Sequence, residues 1–360
     1  MSESVILLRE IPTATGHVIA HLTLNSPKTL NSLSLPMVEL LQRYLDDFKS
    51  RDEVVMIFLD GAGEKAFCAG GDIKRLRSDA IEGDHGREFF AKEYRLDYTI
   101  HNYSKPIVVW GSGIVMGGGL GLLGGASHRV LTETSRIAMP EISIGLYPDV
   151  GGSYMLSKAP KPFGLFMGLT GCSVNAADAI ALGIGDFILE NDAKHQLLAN
   201  FLTVDLTKDA HQHVSSVLSQ MAADSESIEP RMMSKREDII SLCSGDDLQT
   251  IIERFEKLDT DDRFLSGSKS KLLSGCPMTA HLVWQQIQRA PSMTLAEIFR
   301  MEWVMSVNCL AGPDFQEGVR ALIVDKDNEP KWQHTSVSSV SADEVAAMFE
   351  LHEANPLADL

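Results

Sequence analysis

No stretch of about 18 consecutive apolar residues occurs anywhere in the chain, so nothing in it reads as a membrane-spanning helix. Cysteine is sparse. The five present (Cys68, Cys172, Cys243, Cys276, Cys309) are odd in number, widely spaced and free of any CxxC pair, which excludes a disulfide framework and a zinc site and leaves reduced thiols. Positive charge is also short: 32 Lys and Arg stand against 49 Asp and Glu, a net −17 that repels polyanions and argues against nucleic-acid or anionic-membrane partners. The opening Met1-Ser2-Glu3-Ser4 carries an acid and no long apolar run, unlike a signal or transit peptide, and the expectation is a soluble, cytoplasmic protein.

What is present suits a folded enzyme-sized chain. The 360 residues are 44% hydrophobic, enough for a large core in one large domain or two. Residues 18–24 alternate like a strand and stop at Asn25-Ser26-Pro27. A helix is predicted over 37–48, capped near Ser34, because Val38, Leu41, Leu45 and Phe48 recur at helical spacing. The apolar run 54–59 reads as a buried strand, and 107–110, 129–132 and 136–139 read as further strands. Residues 73–104 are helix-prone, 169–183 resemble a capped helix ending in glycine, and the composition turns polar over 208–230. Helices with acidic surfaces are predicted at 248–258 and 282–305.

The chemistry concentrates in three stretches. Residues 139–152 set Glu141 and Asp149 among apolar residues, Pro and Gly, and acids that lose hydration in this way need partners or a task. Upstream lie two glycine clusters, Ala69-Gly70-Gly71-Asp72 and Met116-Gly117-Gly118-Gly119. Glycine lets a ligand approach backbone N–H groups, and two such groups converging on one oxygen form an oxyanion hole. Together these supply two donors and two acids, apparatus for activating a thioester carbonyl. Cys68 has no His near it in sequence and reads as a small buried thiol. Gly119–Gly124 also fits GxGxxG, with Glu141 about 20 residues on, as a dinucleotide site requires. Against that, the acid follows a Pro, poor inside a parallel strand, and three consecutive glycines start the turn early. The preferred reading is a buried helix whose N-terminus faces a carbonyl oxygen.

On these residues, with Pro140-Glu141, Gly151-Gly152 and the later Asp314-Phe315-Gln316-Glu317-Gly318 and Pro330-Lys331-Trp332, the chain resembles the crotonase (enoyl-CoA hydratase/isomerase) superfamily, and within it the 3-hydroxyisobutyryl-CoA hydrolase branch. The resemblance implies an α/β fold, a right-handed spiral of ββα turns with an extended helical C-terminal region. It implies a CoA-thioester-binding core over 1–195 and a mainly helical region over 196–360 packed on it. The implied activity is hydrolysis of a short branched 3-hydroxyacyl-CoA, as in valine breakdown, with no prosthetic group and no metal. The acyl-CoA is the partner, and a homo-oligomer is compatible with the family.

Carried over by residue, the oxyanion donors are the N–H groups of Gly71 and Gly118. Glu141 acts as nucleophile or as general base for water, and Asp149 holds the substrate's 3-hydroxyl or positions the water. Glu93 of the Glu93-Tyr94 pair lines the substrate pocket with Gly118, Glu141 and Asp149. Lys28, Leu30, Lys65, Ala69 and Ile73 fall at CoA-binding positions, and Lys28, Lys65, Lys74, Arg75 and Arg77 could form a local basic patch. Hydratases of the superfamily carry a second catalytic Glu where this chain has Gly121, and usually glycine where it has Asp149; both departures favour hydrolysis over hydration or isomerisation. A non-catalytic acyl-CoA binder is the third alternative.

Overall fold

The structure, a computed structural model, describes residues 4–222 and 228–360. The reading of Met1-Ser2-Glu3 and the part of the polar stretch at 223–227 lie outside the described residues. The chain groups into two compact units, one of Met1–Gly71, Leu96–Ile137 and Val174–Pro230, the other of Asp72–Arg95, Ala138–Ser173 and Arg231–Leu360. This differs from the expected linear boundary at 195, because residues 174–230 stay with the first unit while 72–95 and 138–173 group with the C-terminal residues.

In the first unit the described residues form β1 (Ile6–Pro12), β2 (Val18–Leu24), β3 (Val54–Gly61), β4 (Ala66–Cys68), β5 (Ile107–Gly111), β6 (Ile114–Met116), β7 (His128–Thr132), β8 (Arg136–Ala138) and β9 (Phe187–Leu189). One sheet has the order β1-β2-β3-β5-β7-β9 and a second the order β4-β6-β8. The pairs β3/β4, β5/β6 and β7/β8 therefore each place one strand in each sheet, the repeat expected of a ββα spiral. All pairs of the larger sheet are parallel except β1 with β2. A parallel strand covered on both faces reads as a continuous apolar run, and seven of the eight residues of β3 are buried. The helices Lys194–Thr203 and Ala210–Met221 cover one face, burying Phe201 and Leu218 in the cluster that holds Phe58 and Trp110.

The second unit is mainly helical. The predicted helix over 73–104 is two helices, Ile73–Glu82 and Arg87–His101, because Gly83 and Gly86 take positive φ between them. The predicted 282–305 helix is likewise broken. Pro291 falls in a 3-10 turn, Ala290–Ser292, that separates Pro277–Arg289 from Leu295–Ala311. In place of one helix over 169–183, Phe163–Thr170 ends at left-handed Gly171, and a short helix Ala176–Ala181 starts from the Asn175–Asp178 capping box in the first unit.

The segment that positions the second unit's acids is packed by backbone. A 3-10 turn, Glu141–Ile144, follows Pro140 and closes at left-handed Gly145. A Cβ on Gly145 would lie 2.6 Å from the Asp314 carbonyl, and one on Gly318 would lie 2.6 Å from the Ile144 Cα. The helix Pro313–Val319 can therefore approach this turn only because both positions lack side chains.

Candidate active site

Glu141 and Asp149 stand at either end of this turn and its continuation, and both are buried, about 4% exposed. Burial pushes the Glu141 carboxyl well above the ordinary range, and the charge of Asp149 adds to the rise. Among the described residues its Oε2 has no hydrogen-bond partner. Asp149 is raised to about 6 by burial, against the hydrogen bond donated by Tyr94 at 2.6 Å, which favours its ionised form. Two acids that disfavour each other's charge titrate as a pair. Next to Asp149, Val150 is held at φ 52, a conformation costly for a β-branched residue, and such strain gathers at working sites.

A third acid completes the cluster, and the sequence reading missed it. Glu302 lies midway along Leu295–Ala311 and is fully buried, where acids on a solvated surface were expected. Its carboxylate accepts the N–H of Gly151 at 2.7 Å and of Ser153 at 2.9 Å, orphan donors at the start of the helix Gly152–Lys158. Burial outweighs these bonds and raises Glu302 to about 8. One signal existed in the sequence: an acid inside a helix that is apolar almost all round. From the neighbouring helix come Tyr94, bonded to Asp149 and Ser306, and buried Glu93, whose charge bears on Tyr94. Tyr147 reaches Ser306 and the Glu302 carbonyl.

In the first unit the two glycine clusters meet. A Cβ on Gly70 would lie 3.9 Å from the nitrogen of Gly118. Gly118 opens the buried helix Gly118–Gly125, which is where the GxGxxG pattern falls. Its N–H, in the first turn, has no intrahelical acceptor, and among the described residues no hydrogen bond takes the N–H of Gly71 or of Gly118. The loop that carries Gly71 is tied down by Ala69 N–H to Leu30 O at 3.0 Å and Leu33 N–H to Gly70 O at 2.8 Å. Asn31 reinforces it by donating to the Ala62 and Ala66 carbonyls.

Of the expected CoA-binding residues, Leu30 and Lys65 line one cleft with Pro27, Asn31 and Ala62, and Lys28 is exposed on the turn Pro27–Thr29. Ala69 belongs to the same loop system, whereas Ile73 begins a helix of the second unit. The basic patch is reduced by one charge: Arg75 pairs with Asp79 at 2.7 Å, whereas Arg77 donates to the Gln316 carbonyl, a neutral group, and keeps its charge. Cys68 is buried. Among the described residues no group of three or more His, Cys, Asp or Glu is placed to hold a metal ion. None of their helices is long and apolar enough to cross a membrane.

Comparison with known proteins agrees with this arrangement. A family model described as enoyl-CoA hydratase/isomerase matches residues 19–349. A Danio rerio protein named "3-hydroxyisobutyryl-CoA hydrolase, mitochondrial" is 36% identical, over 91% of this chain and 86% of its own length. A crystal structure titled as a carnitinyl-CoA dehydratase from Mycobacterium thermoresistibile matches with TM-score 0.88 at 31% identity, covering 98% of each chain. One titled as an enoyl-CoA hydratase from Rhodobacter sphaeroides 2.4.1 matches with TM-score 0.85 at 33% identity, covering 96% of this chain and 97% of that one. The parallel spiral, the paired glycine clusters and a match running over most of the sequence lead to one conclusion: the chain belongs to the enoyl-CoA hydratase/isomerase (crotonase) family.

Proposed function

We propose that this protein hydrolyses a short branched 3-hydroxyacyl-CoA thioester, with 3-hydroxyisobutyryl-CoA giving 3-hydroxyisobutyrate and CoA as the reaction to test first. The observation that carries this reading is the buried Glu141 carboxylate, with one oxygen unpartnered, raised in pKa by burial and by Asp149. In the proposed reaction the N–H groups of Gly71 and Gly118 stabilise the negative charge that develops on the thioester oxygen. Glu141 either attacks the carbonyl carbon, expelling the CoA thiolate and leaving an anhydride for water to open, or takes the proton of the attacking water. Asp149 holds the 3-hydroxyl or the water, Glu93 lines the acyl pocket, and the loop of Lys28, Leu30, Lys65 and Ala69 receives the CoA moiety, with Ile73 beside it in sequence. No prosthetic group takes part.

Release of free thiol from 3-hydroxyisobutyryl-CoA, lost in Glu141→Ala, is the test. A second reading, hydration or isomerisation of an enoyl-CoA, draws support from the titles of the two solved structures. It predicts loss of the conjugated enoyl absorbance, or migration of the double bond, without thiol release. Gly121 weighs against it, since the second hydratase acid has no counterpart at that position. A cytoplasmic location, a role in valine breakdown and self-association into a homo-oligomer belong to the same proposal; the named relatives, by contrast, are mitochondrial.

A further inference from the structure

Four short contacts join five groups in a line inside the second unit. Asp149 Oδ2 lies 2.6 Å from Tyr94 Oη, Tyr94 Oη 2.6 Å from Ser306 Oγ, Ser306 Oγ 2.9 Å from Tyr147 Oη, and Tyr147 Oη 2.5 Å from the Glu302 carbonyl. The three hydroxyls are fully buried, so they must satisfy one another. Together they own three protons for four contacts. The carbonyl can only accept, so Tyr147 donates to it; Ser306 then donates to Tyr147 and Tyr94 to Ser306. The contact between Tyr94 and Asp149 is then empty unless the carboxyl brings a proton of its own. If Asp149 is ionised, Tyr94 must turn its proton to the carboxylate. One hydroxyl pair, at 2.6 or 2.9 Å, is then left with lone pairs facing each other in a dry interior, where an unmade bond is costly.

We propose that Tyr94, Ser306 and Tyr147 form a proton-counting line that holds Asp149 as the neutral acid, which leaves Glu141 as the charged member of the pair. The three hydroxyl residues are positioning residues acting through Asp149. Assigning Glu141 as the reactive carboxylate rests on the hydrolase reading; the protonation of Asp149 does not. The ionisable groups that bear on Asp149 are Glu141, Glu302, Tyr94, Tyr147 and Cys309, each an acid, and Glu93 bears on Tyr94. Burial alone would leave Glu141 as the protonated partner, since Tyr94 donating to Asp149 favours ionised Asp149. When the Tyr94 proton is committed to Ser306 that help is withdrawn, and Asp149 titrates higher.

Infrared difference spectra between wild type and Asp149→Asn decide the central point. At pH 7 a neutral carboxylic C=O band lost in the variant is expected, and loss of a carboxylate band alone overturns the proposal. Two further variants carry the same sign. Ser306→Ala and Tyr147→Phe each shorten the line so that Tyr94 can donate to an ionised carboxylate with no hydroxyl pair left unmade, and each is expected to lower the Asp149 titration by roughly one pH unit. The limb of the thiol-release pH profile set by Asp149 should follow each shift. An upward displacement in either variant, or a shift in neither, is the behaviour of a network in which Tyr94 already donates to ionised Asp149, and rejects the line. If wild type releases no thiol, the hydrolase reading fails while the infrared titration still judges Asp149.

Discussion

The Glu302 carboxylate lies 2.7 Å from the N–H of Gly151, two residues beyond Asp149, and so fixes the turn that aims the smaller acid. Strained Val150 stands between them, and a clamp there offsets the tendency of the turn to relax. Glu302→Gln places an amide opposite two N–H donors and leaves at least one unsatisfied. It is expected to cost roughly 1–3 kcal/mol in urea denaturation and to lower kcat more than it raises KM. Wild-type stability in this variant would remove the clamp from the account.

Glu141, Asp149 and Glu302 all bind their protons more tightly when folded than in the unfolded chain, where carboxyls titrate near about 4. Their contribution to stability is complete below that unfolded value and is lost as pH rises through the folded ones, about 6 for Asp149 and about 8 for Glu302. The urea midpoint should therefore fall between pH 5 and pH 8, and Glu302→Gln should flatten the upper part of the slope. A midpoint climbing steadily over that range contradicts interior acids whose pKa values are raised by folding.

Function and stability should part at Glu141. Glu141→Gln keeps the volume while removing a buried acid whose Oε2 is unpartnered, so thermal unfolding is expected to move upward. Thiol release should meanwhile drop by roughly two to four orders of magnitude. Calorimetry and a thiol-reactive dye on one preparation read both effects.

Lys65 and Leu30 share a cleft, and an exposed cation there suits the anionic part of a CoA ester in a chain that is otherwise strongly acidic. Lys65→Glu should raise KM for the thioester about tenfold with kcat nearly unchanged, and the penalty should shrink as salt is added. An unaltered KM would move CoA binding elsewhere.

Much of the fold was legible because its strands obey simple rules. Residues 54–59 are apolar without a break because β3 is covered on both faces, and 18–24 is marked by its apolar residues and the turn signal after it, although its burial does not alternate, Ile19 to Leu22 all being buried. β1 escaped because only Ile6 of its seven residues is fully buried, a pattern no different from a polar loop. Gly83, Gly86 and Pro291 were visible as breakers, yet the apolar spacing on either side of each is continuous enough to suggest one helix. In the site, the glycine clusters and the Glu141–Asp149 spacing are local and could be read directly. Glu302 and Ser306 could not, since their partners lie about 150 to 210 positions away and only tertiary packing brings them together. The two-unit grouping is unreadable for the same reason.

The contacts of Gly145 with Asp314 and of Gly318 with Ile144 give the last fifty residues a keystone role. A methyl group at either glycine would force backbone apart beside Glu141, so Gly318→Ala should lose roughly 1–3 kcal/mol and be felt in the thermal midpoint. Anyone shortening this protein, or fusing a partner at residue 312, is in effect operating on the shelf beneath Glu141.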